Sequence, residues 1–355
     1  MSTLRVTAEV LTVHEHPNAD ALELAQVGLY RAVVAKGAFR TGETAVYIPE
    51  QSVLPAGLID ELGLTGRLAG SGADRVKAVR LRGELSQGIV CRPKALDGVD
   101  LARAAAEGTD FAGLLGIVKW VPPIPPTMSG DVESAPGLLP WVEIENIQRH
   151  PDIFAPGEPV VLTEKLHGSA CLLTYTAEDG RVQVSSKGFG AKSLALTEDP
   201  RNLYWRAVRG HGVAEAAARL AGRLGAARVG IFGEVYGAGV QDLTYGADGR
   251  RESLGYAAFD VCAEIDGLVR WLDAGALLEG ELPLVPRLYA GPYDIERVLE
   301  YASGRETVSG RALHLREGVV IRPATERYSP VTGRRAIAKA VSPAYLTRKG
   351  GTEYE

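Results

Sequence analysis

The chain has 355 residues, 46% hydrophobic and 23% charged, an ordinary globular composition long enough for two buried cores. Its formal net charge of -5 excludes a molecule that attracts nucleic acid by bulk charge, so any phosphate-binding surface must be a local basic patch on an acidic body. Cys91, Cys171 and Cys262 are isolated in apolar runs, which argues against a disulfide or zinc framework and for a reducing compartment. With no opening signal segment and no apolar run of membrane-spanning length, a cytoplasmic monomer with no membrane partner is expected.

Residues 4–13 alternate like a half-buried strand, and the turn formers from His14 to Asp20 end it. Further short strands are predicted near 23–28, 30–36, 44–48, 76–81 and 88–92. Five or so short strands with little helix predict a small Greek-key barrel over residues 1–120. His14 and His16 suggest a metal, but with no third ligand nearby a turn or surface role fits better. Arg75, Lys77, Arg80 and Arg82 switch parity between Lys77 and Arg80, so one strand face cannot hold all four. Either a bulge intervenes or only two of them point the same way, and a solvated edge that resists sheet addition is the simpler alternative.

Residues 121–140 are rich in proline, glycine and small polar residues and read as a linker, or a strap, between two domains. Order restarts at Trp141 to Ile147 and leads into a second domain, 141–355. There, Pro159 to Leu162 form an apolar strand pattern that runs into Thr163, Glu164, Lys165, Leu166, His167 and Gly168. A lysine in such a pattern is either outward-facing on an edge strand or buried, and burial costs several kcal/mol unless the ammonium is paired or neutralised. Helices are predicted over Gly212 to Leu224, Val269 to Leu278 and Asp294 to Tyr301. In the first, Glu215 near its start and Arg219 and Arg223 near its end suit the dipole.

Six segments follow one another in order: Lys165-x-His167-Gly168, Ser185 to Gly188 with Lys187, Phe232 to Glu234, Phe259-Asp260, Glu317 to Arg322, and Ile337 to Lys339. This ordered set, over roughly 140–349, resembles the covalent nucleotidyltransferases, the superfamily of polynucleotide ligases and capping enzymes. Histidine at the third position of the first motif resembles RNA ligases. His16 to Leu22 likewise resemble the first hairpin of tRNA-binding OB-folds, although the same motif caps a barrel turn without any RNA. The resemblance implies an α+β protein: an N-terminal OB-type β-barrel, then a nucleotidyltransferase domain of antiparallel sheets flanked by helices. A barrel in front and no domain expected behind is similar to the bacterial RNA ligases typified by the Deinococcus enzyme.

The resemblance implies that Lys165 takes AMP from ATP as a covalent lysyl phosphoramidate with Mg2+ or Mn2+. It further implies transfer of the AMP to a 5'-phosphate and sealing to a 3'-hydroxyl in RNA or a nicked RNA/DNA duplex. At a pKa near 10.4 only about one lysine in a few thousand is neutral at pH 7, and a fall to about 7 makes the neutral form common. Burial, a metal or a neighbouring cation can push that way, and His167 and Lys339 are the candidate neighbours. Glu234 and Glu317, at strand ends, suit a hard divalent ion or its water; each alone reads as an ordinary surface acid. By resemblance Glu234 also touches the ribose, Lys339 contacts the AMP phosphate, Lys187 reaches a phosphate, and Phe259 stacks on adenine. Without the family, Phe259 reads equally as core. Glu164, His167 and Gly168 complete the expected nucleotide site.

Two departures stand out. Ser169 and Ala170 replace a threonine and asparagine common after the first motif, and Ile337 replaces the first lysine of the last motif, for which Arg334 or Arg335 can substitute in charge. The competing reading is a non-catalytic OB-fold RNA-binding protein carrying a decayed nucleotidyltransferase domain; intact Lys165, Glu234, Glu317 and Lys339 argue against it. A guanylyltransferase is a third reading, disfavoured by His167.

Overall fold

A computed structural model describes residues 4–141, 143–247 and 254–354. Val142, part of the expected restart of order, lies outside the described residues. The chain divides into two compact units, one of residues 1–121 with 145–150 and 346–348, the other of residues 122–144, 151–345 and 349–355.

The first unit is built from short antiparallel strands. One sheet orders Thr7–Val10, Thr44–Ile48 and Ile89–Cys91, and another orders Thr12–Glu15, Leu22–Val27 and Tyr30–Ala35. The run expected as one strand over 4–13 is split at Leu11, which is buried and bonds through its N–H to Glu43 O at 2.9 Å. That single break lets the chain pass from one sheet to the next, as a barrel corner requires. The strand expected over 76–81 shrinks to Val79–Leu81, paired with Glu84–Ser86. Arg82 and Gly83 turn between them with φ of 51° and 93°, the left-handed pair that a tight hairpin needs. His16 Nε2 lies 3.1 Å from Leu81 O, and its Nδ1 accepts from Asn18 N at 3.1 Å. His16 therefore ties a turn to this hairpin. Arg75 is buried, its guanidinium 3.9 Å above the Trp120 ring, while Arg80 and Arg82 are exposed. The four cations of this stretch thus form no common face.

The second unit carries a seven-stranded sheet ordered Val132–Ser134, Leu194–Leu196, Val182–Ser186, Ser169–Thr176, Arg228–Tyr236, Gly255–Ile265 and Leu268–Leu272. A second sheet orders Ala338–Val341, Gly318–Pro323, Pro159–Lys165 and Arg287–Pro292. All the neighbouring pairs are antiparallel. Helices Leu203–Gly210 and Val213–Leu224 pack on the larger sheet, and Leu203, Ala216, Ala217 and Leu220 share its core with Cys171, Leu173, Ile231 and Val261. Asn202 starts the first of these helices by accepting from Tyr204 N and Trp205 N.

Two expectations need correction. The helix predicted over Val269 to Leu278 is a strand, Leu268–Leu272, followed by a short helix, Ala274–Leu278, with Asp273 as its cap. Asp266 and Gly267 have φ of 52° and 74°, and this hairpin turn folds the strand back onto Val261 to Ile265. The proline-rich stretch, expected as linker or strap, has order of its own in this unit. Val132–Ser134 pair with Leu194–Leu196, and Met128, Ala135 and Leu139 are fully buried.

Candidate active site

The pleat of Pro159–Lys165 sets up the site. Val160, Leu162 and Glu164 alternate as buried residues on one face, and Val161, Thr163 and Lys165 fall on the other. A cavity of about 190 Å³ opens on that second face, bordered by Lys165, Glu164, Lys187, Glu234, Phe259 and Lys339. Five elements of the chain thus bring six of the expected site residues together. Lys187 opens a short helix, Lys187–Gly190, with its Nζ 3.5 Å from Glu143 Oε2. Phe259 is one of an aromatic group with Phe232, Trp141 and Trp271 that packs together at the cavity.

Glu317, Gly168 and His167 do not figure among the described residues bordering the cavity. Glu317 nevertheless reaches the lysine: its Oε1 lies 2.7 Å from Lys165 Nζ. Gly168 N donates to Glu234 Oε1 at 3.0 Å. A side chain at 168 would run into Val235 O and the Glu234 stem, so only glycine allows this approach. His167 is turned away: its imidazole lies between Asp242 Oδ1 at 2.8 Å and Tyr345 Oη at 2.7 Å. The expectation that His167 serves as a cation beside the lysine is therefore corrected. Of Arg334 and Arg335, expected to substitute in charge for the first lysine of the last motif, Arg335 is bonded to Asp260 and Glu326.

The electrostatics run opposite to the expectation for an activated amine. Burial pushes the Lys165 ammonium down, but Glu317 and Glu234 outweigh it, so the pKa stands above its ordinary value. Glu234 is pushed up to about 8, chiefly by burial, with Glu317 adding to the rise and Lys165 opposing it. Glu317 Oε2 is buried with no hydrogen-bond partner. Two carboxylates share one ammonium here, and one oxygen is unsatisfied. An all-oxygen donor set of this kind fits a hard divalent cation completed by water or substrate; no cluster of three or more His, Cys, Asp or Glu exists among the described residues to hold one alone.

Glu164 was expected at the site, whereas Arg322 and Tyr245 were not anticipated from sequence. Glu164 points to the face opposite the lysine, where Thr307 donates to its carboxylate through N at 2.9 Å and Oγ1 at 2.6 Å; its backbone is left to border the cavity. Burial pushes this carboxyl up despite those bonds. Arg322, half-buried beside Asp260, borders the cavity too. Tyr245 Oη accepts from His167 N at 2.7 Å. No helix among the described residues is long and apolar enough to cross a membrane.

Comparison with known proteins agrees with this architecture. No curated protein matches the chain by sequence. Among solved structures, the Naegleria gruberi RNA ligase is similar in fold. A mutant form with ATP and Mn has a TM-score of 0.77 at 23% identity, covering 96% of this chain and 98% of that one. The form with PPi has a TM-score of 0.76 at 23% identity, covering 97% and 98%. A further mutant form with AMP and Mn has the same TM-score, identity and coverage, 0.76, 23%, 97% and 98%. An OB-fold domain model matches residues 4–93, within the first unit. The RNA ligase model matches residues 158–341, the span that carries Lys165, Glu234, Glu317 and Lys339, and the chain belongs to the RNA ligase family.

Proposed function

We propose that this RNA ligase is ATP-dependent and works through a lysyl-AMP formed on Lys165. It then adenylylates a 5'-phosphate and seals it to a 3'-hydroxyl, at nicks in duplexes with RNA on the 3' side, as an RNA repair activity. The observation that carries the reading is the convergence of Glu234 and Glu317 on Lys165, with Lys165, Glu234, Lys187 and Lys339 bordering one cavity. The similar Naegleria structures with ATP, AMP and Mn support ATP and a divalent ion as its cofactors.

In the first step the Lys165 Nζ lone pair attacks the α-phosphorus of ATP. The N–P bond forms, the bond from the α-phosphorus to the bridging oxygen breaks, and pyrophosphate leaves with that electron pair. The ammonium must first lose a proton, and Glu317 Oε1, 2.7 Å away, is the group placed to take it. A divalent ion held by Glu234 and Glu317 would withdraw their negative charge from the lysine and stabilise charge on the phosphoryl oxygens. Lys187 and Lys339 would bind the phosphates electrostatically, and Phe259, with the aromatic group around it, would take the base. In the second step the 5'-phosphate oxygen displaces Lys165 from phosphorus, and in the third the 3'-hydroxyl displaces AMP. Recognition of 2'-hydroxyls is the physical basis on which an RNA 3' side would be preferred.

The test is incubation with ATP labelled at the α-phosphate and a divalent metal, followed by nicked duplexes with RNA or DNA 3' ends. A covalent adduct is expected that is absent from Lys165→Ala, with sealing faster on RNA 3' ends. An adduct that persists in Lys165→Ala would refute the lysine assignment. Adduct formation with no sealing would refute the ligase step, and equal sealing of both ends would refute the 3' preference.

A further inference from the structure

Resting on the reading of Lys165 as nucleophile, we propose that Asp242 and Thr352 are positioning residues for it, with residues 352–354 strapping down the turn behind the lysine. Lys165 is the last residue of its strand, so its direction depends on the turn Leu166 to Gly168. That turn is gripped from several sides. His167 N donates to Tyr245 Oη, Gly168 N donates to Glu234 Oε1, and Gln241 Nε2 donates to Gly168 O at 3.0 Å. The His167 ring is buried and engaged at both nitrogens, by Asp242 and Tyr345. A ring with its proton on Nε2, donating to Asp242 and accepting from Tyr345, satisfies both contacts.

The groups doing the gripping are themselves held by residues more than 100 positions later. Asp242 Oδ1 accepts from Thr352 N at 2.8 Å and faces Thr352 Oγ1 at 2.8 Å, while Asp242 N donates to that same Oγ1 at 2.9 Å. Gln241 Oε1 accepts from Tyr354 N at 3.2 Å, and Gln241 Nε2 donates to Tyr354 O at 3.1 Å. Among the described residues that border the cavity, none of Asp242, Thr352 and Tyr354 figures. Their contacts run to Gln241, Asp242 and the turn, so the influence on AMP transfer is inferred to pass through the turn. Misplacing a reacting atom by about 1 Å can cost about 100-fold in rate, which makes a distant hydroxyl able to matter.

Thr352→Val keeps the shape and removes the hydroxyl; Thr352→Ser restores it. Single-turnover labelling with ATP is measured for both, alongside ATP affinity and melting temperature. Thr352→Val is expected to slow AMP transfer about tenfold, the scale of one lost hydrogen bond, with ATP affinity within about twofold of wild type. Thr352→Ser is expected to recover the rate, and Asp242→Asn to lose more than Thr352→Val. If Thr352→Val fails to fold, Tyr345→Phe, which removes only the hydroxyl facing His167 Nδ1, is expected to give the same loss. Wild-type labelling at Lys165 with an unchanged rate in the folded variant would overturn the strap alone. Equal impairment of the Val and Ser variants would also overturn it. Wild-type labelling at another residue would overturn the nucleophile reading, and the strap with it.

Discussion

Two ionic clusters lie in the second unit, each around a buried acid, Asp260 in one and Glu317 in the other, and they are built from the same materials to different ends. In one, Arg335 donates to both Glu326 oxygens at 2.7 Å and to both oxygens of Asp260, while its guanidinium lies 4.4 Å over the Trp271 ring. Arg322 adds a second cation 3.5 Å from Asp260. Two acids meet two arginines, and apart from Arg322 Nε the cluster closes on itself. In the other, Lys165 faces two carboxylates, Glu234 is pushed to about 8, and Glu317 Oε2 has no partner. Burying a charge is costly unless it is compensated. The first cluster is compensated by the fold. The second leaves Glu317 Oε2 without a partner, and a cation brought in with the substrate would supply one.

The largest expected effect separates the two by activity. Lys165→Ala should reduce labelling by ATP roughly 10^4-fold or more, the scale of removing a covalent nucleophile. Its melting temperature should stay within a few degrees, because Glu234, pushed up to about 8 chiefly by burial and further by Glu317, can take up a proton when the lysine is gone. Calorimetry and labelling on the same preparation check both halves. The next effect reverses the pattern. Arg335→Leu takes from buried Asp260 its two-oxygen partner, leaves it Arg322 at 3.5 Å and frees the exposed Glu326 to solvent, and should cost about 1–3 kcal/mol of stability. Arg335 does not border the cavity among the described residues, so labelling by the fraction that remains folded should fall by less than tenfold. A stable Arg335→Leu, or one inactive while fully folded, would erase the distinction between the clusters.

Much of this was readable before the structure, for reasons that can be named. Lys165, Lys187, Glu234, Phe259 and Lys339 sit in local patterns, at strand ends or beside glycines, and the order of those patterns resembles a family. The barrel strands followed from period-2 alternation. What failed was non-local. The charge state of Lys165 depends on carboxylates 69 and 152 positions later, from the numbering of Glu234 and Glu317, and no local window shows which way they face. His167 was misjudged because Asp242 and Tyr345, which hold it, carry no motif. Other misses had signals: Asn202 before an apolar run caps the helix Leu203–Gly210, and Asp266-Gly267 between apolar runs is a hairpin turn. The residues from Val269 were read at helical period although that turn precedes them.

A smaller effect sharpens the comparison through stability. Glu234 has a folded pKa of about 8, above its ordinary value. A raised carboxyl costs nothing when both folded and unfolded chains are protonated. The cost builds as pH rises past the ordinary carboxylate range and is complete above about 8. Glu234→Gln, which removes that cost and retains an oxygen for Gly168 N, should match wild type in melting temperature near pH 4. Above pH 8 it should exceed wild type, by about 2–4 °C per kcal/mol relieved. A gain equal at both pH values would mean that packing, and not charge, separates the two proteins. Labelling should fall in the same variant, so the residue would be unfavourable for the empty fold and needed for the reaction.

The subtlest effect is on the pH profile of labelling. Glu317 and Glu234 hold the Lys165 pKa above normal against the opposing pull of burial. The neutral amine should therefore be scarce at neutral pH, and the single-turnover rate should climb with pH through the alkaline range. Glu317→Gln removes the carboxylate in contact with Nζ, so burial should weigh more and the profile should move toward lower pH. The absolute rate should fall as well, because a candidate metal ligand is lost. Height and position of the profile thus change independently, and position alone reports the ion pair. A profile that stays in place in Glu317→Gln would mean that substrate binding, and not this carboxylate, sets the protonation of the nucleophile. A profile that moves would place the proton of Lys165 under the control of the Glu317 carboxylate.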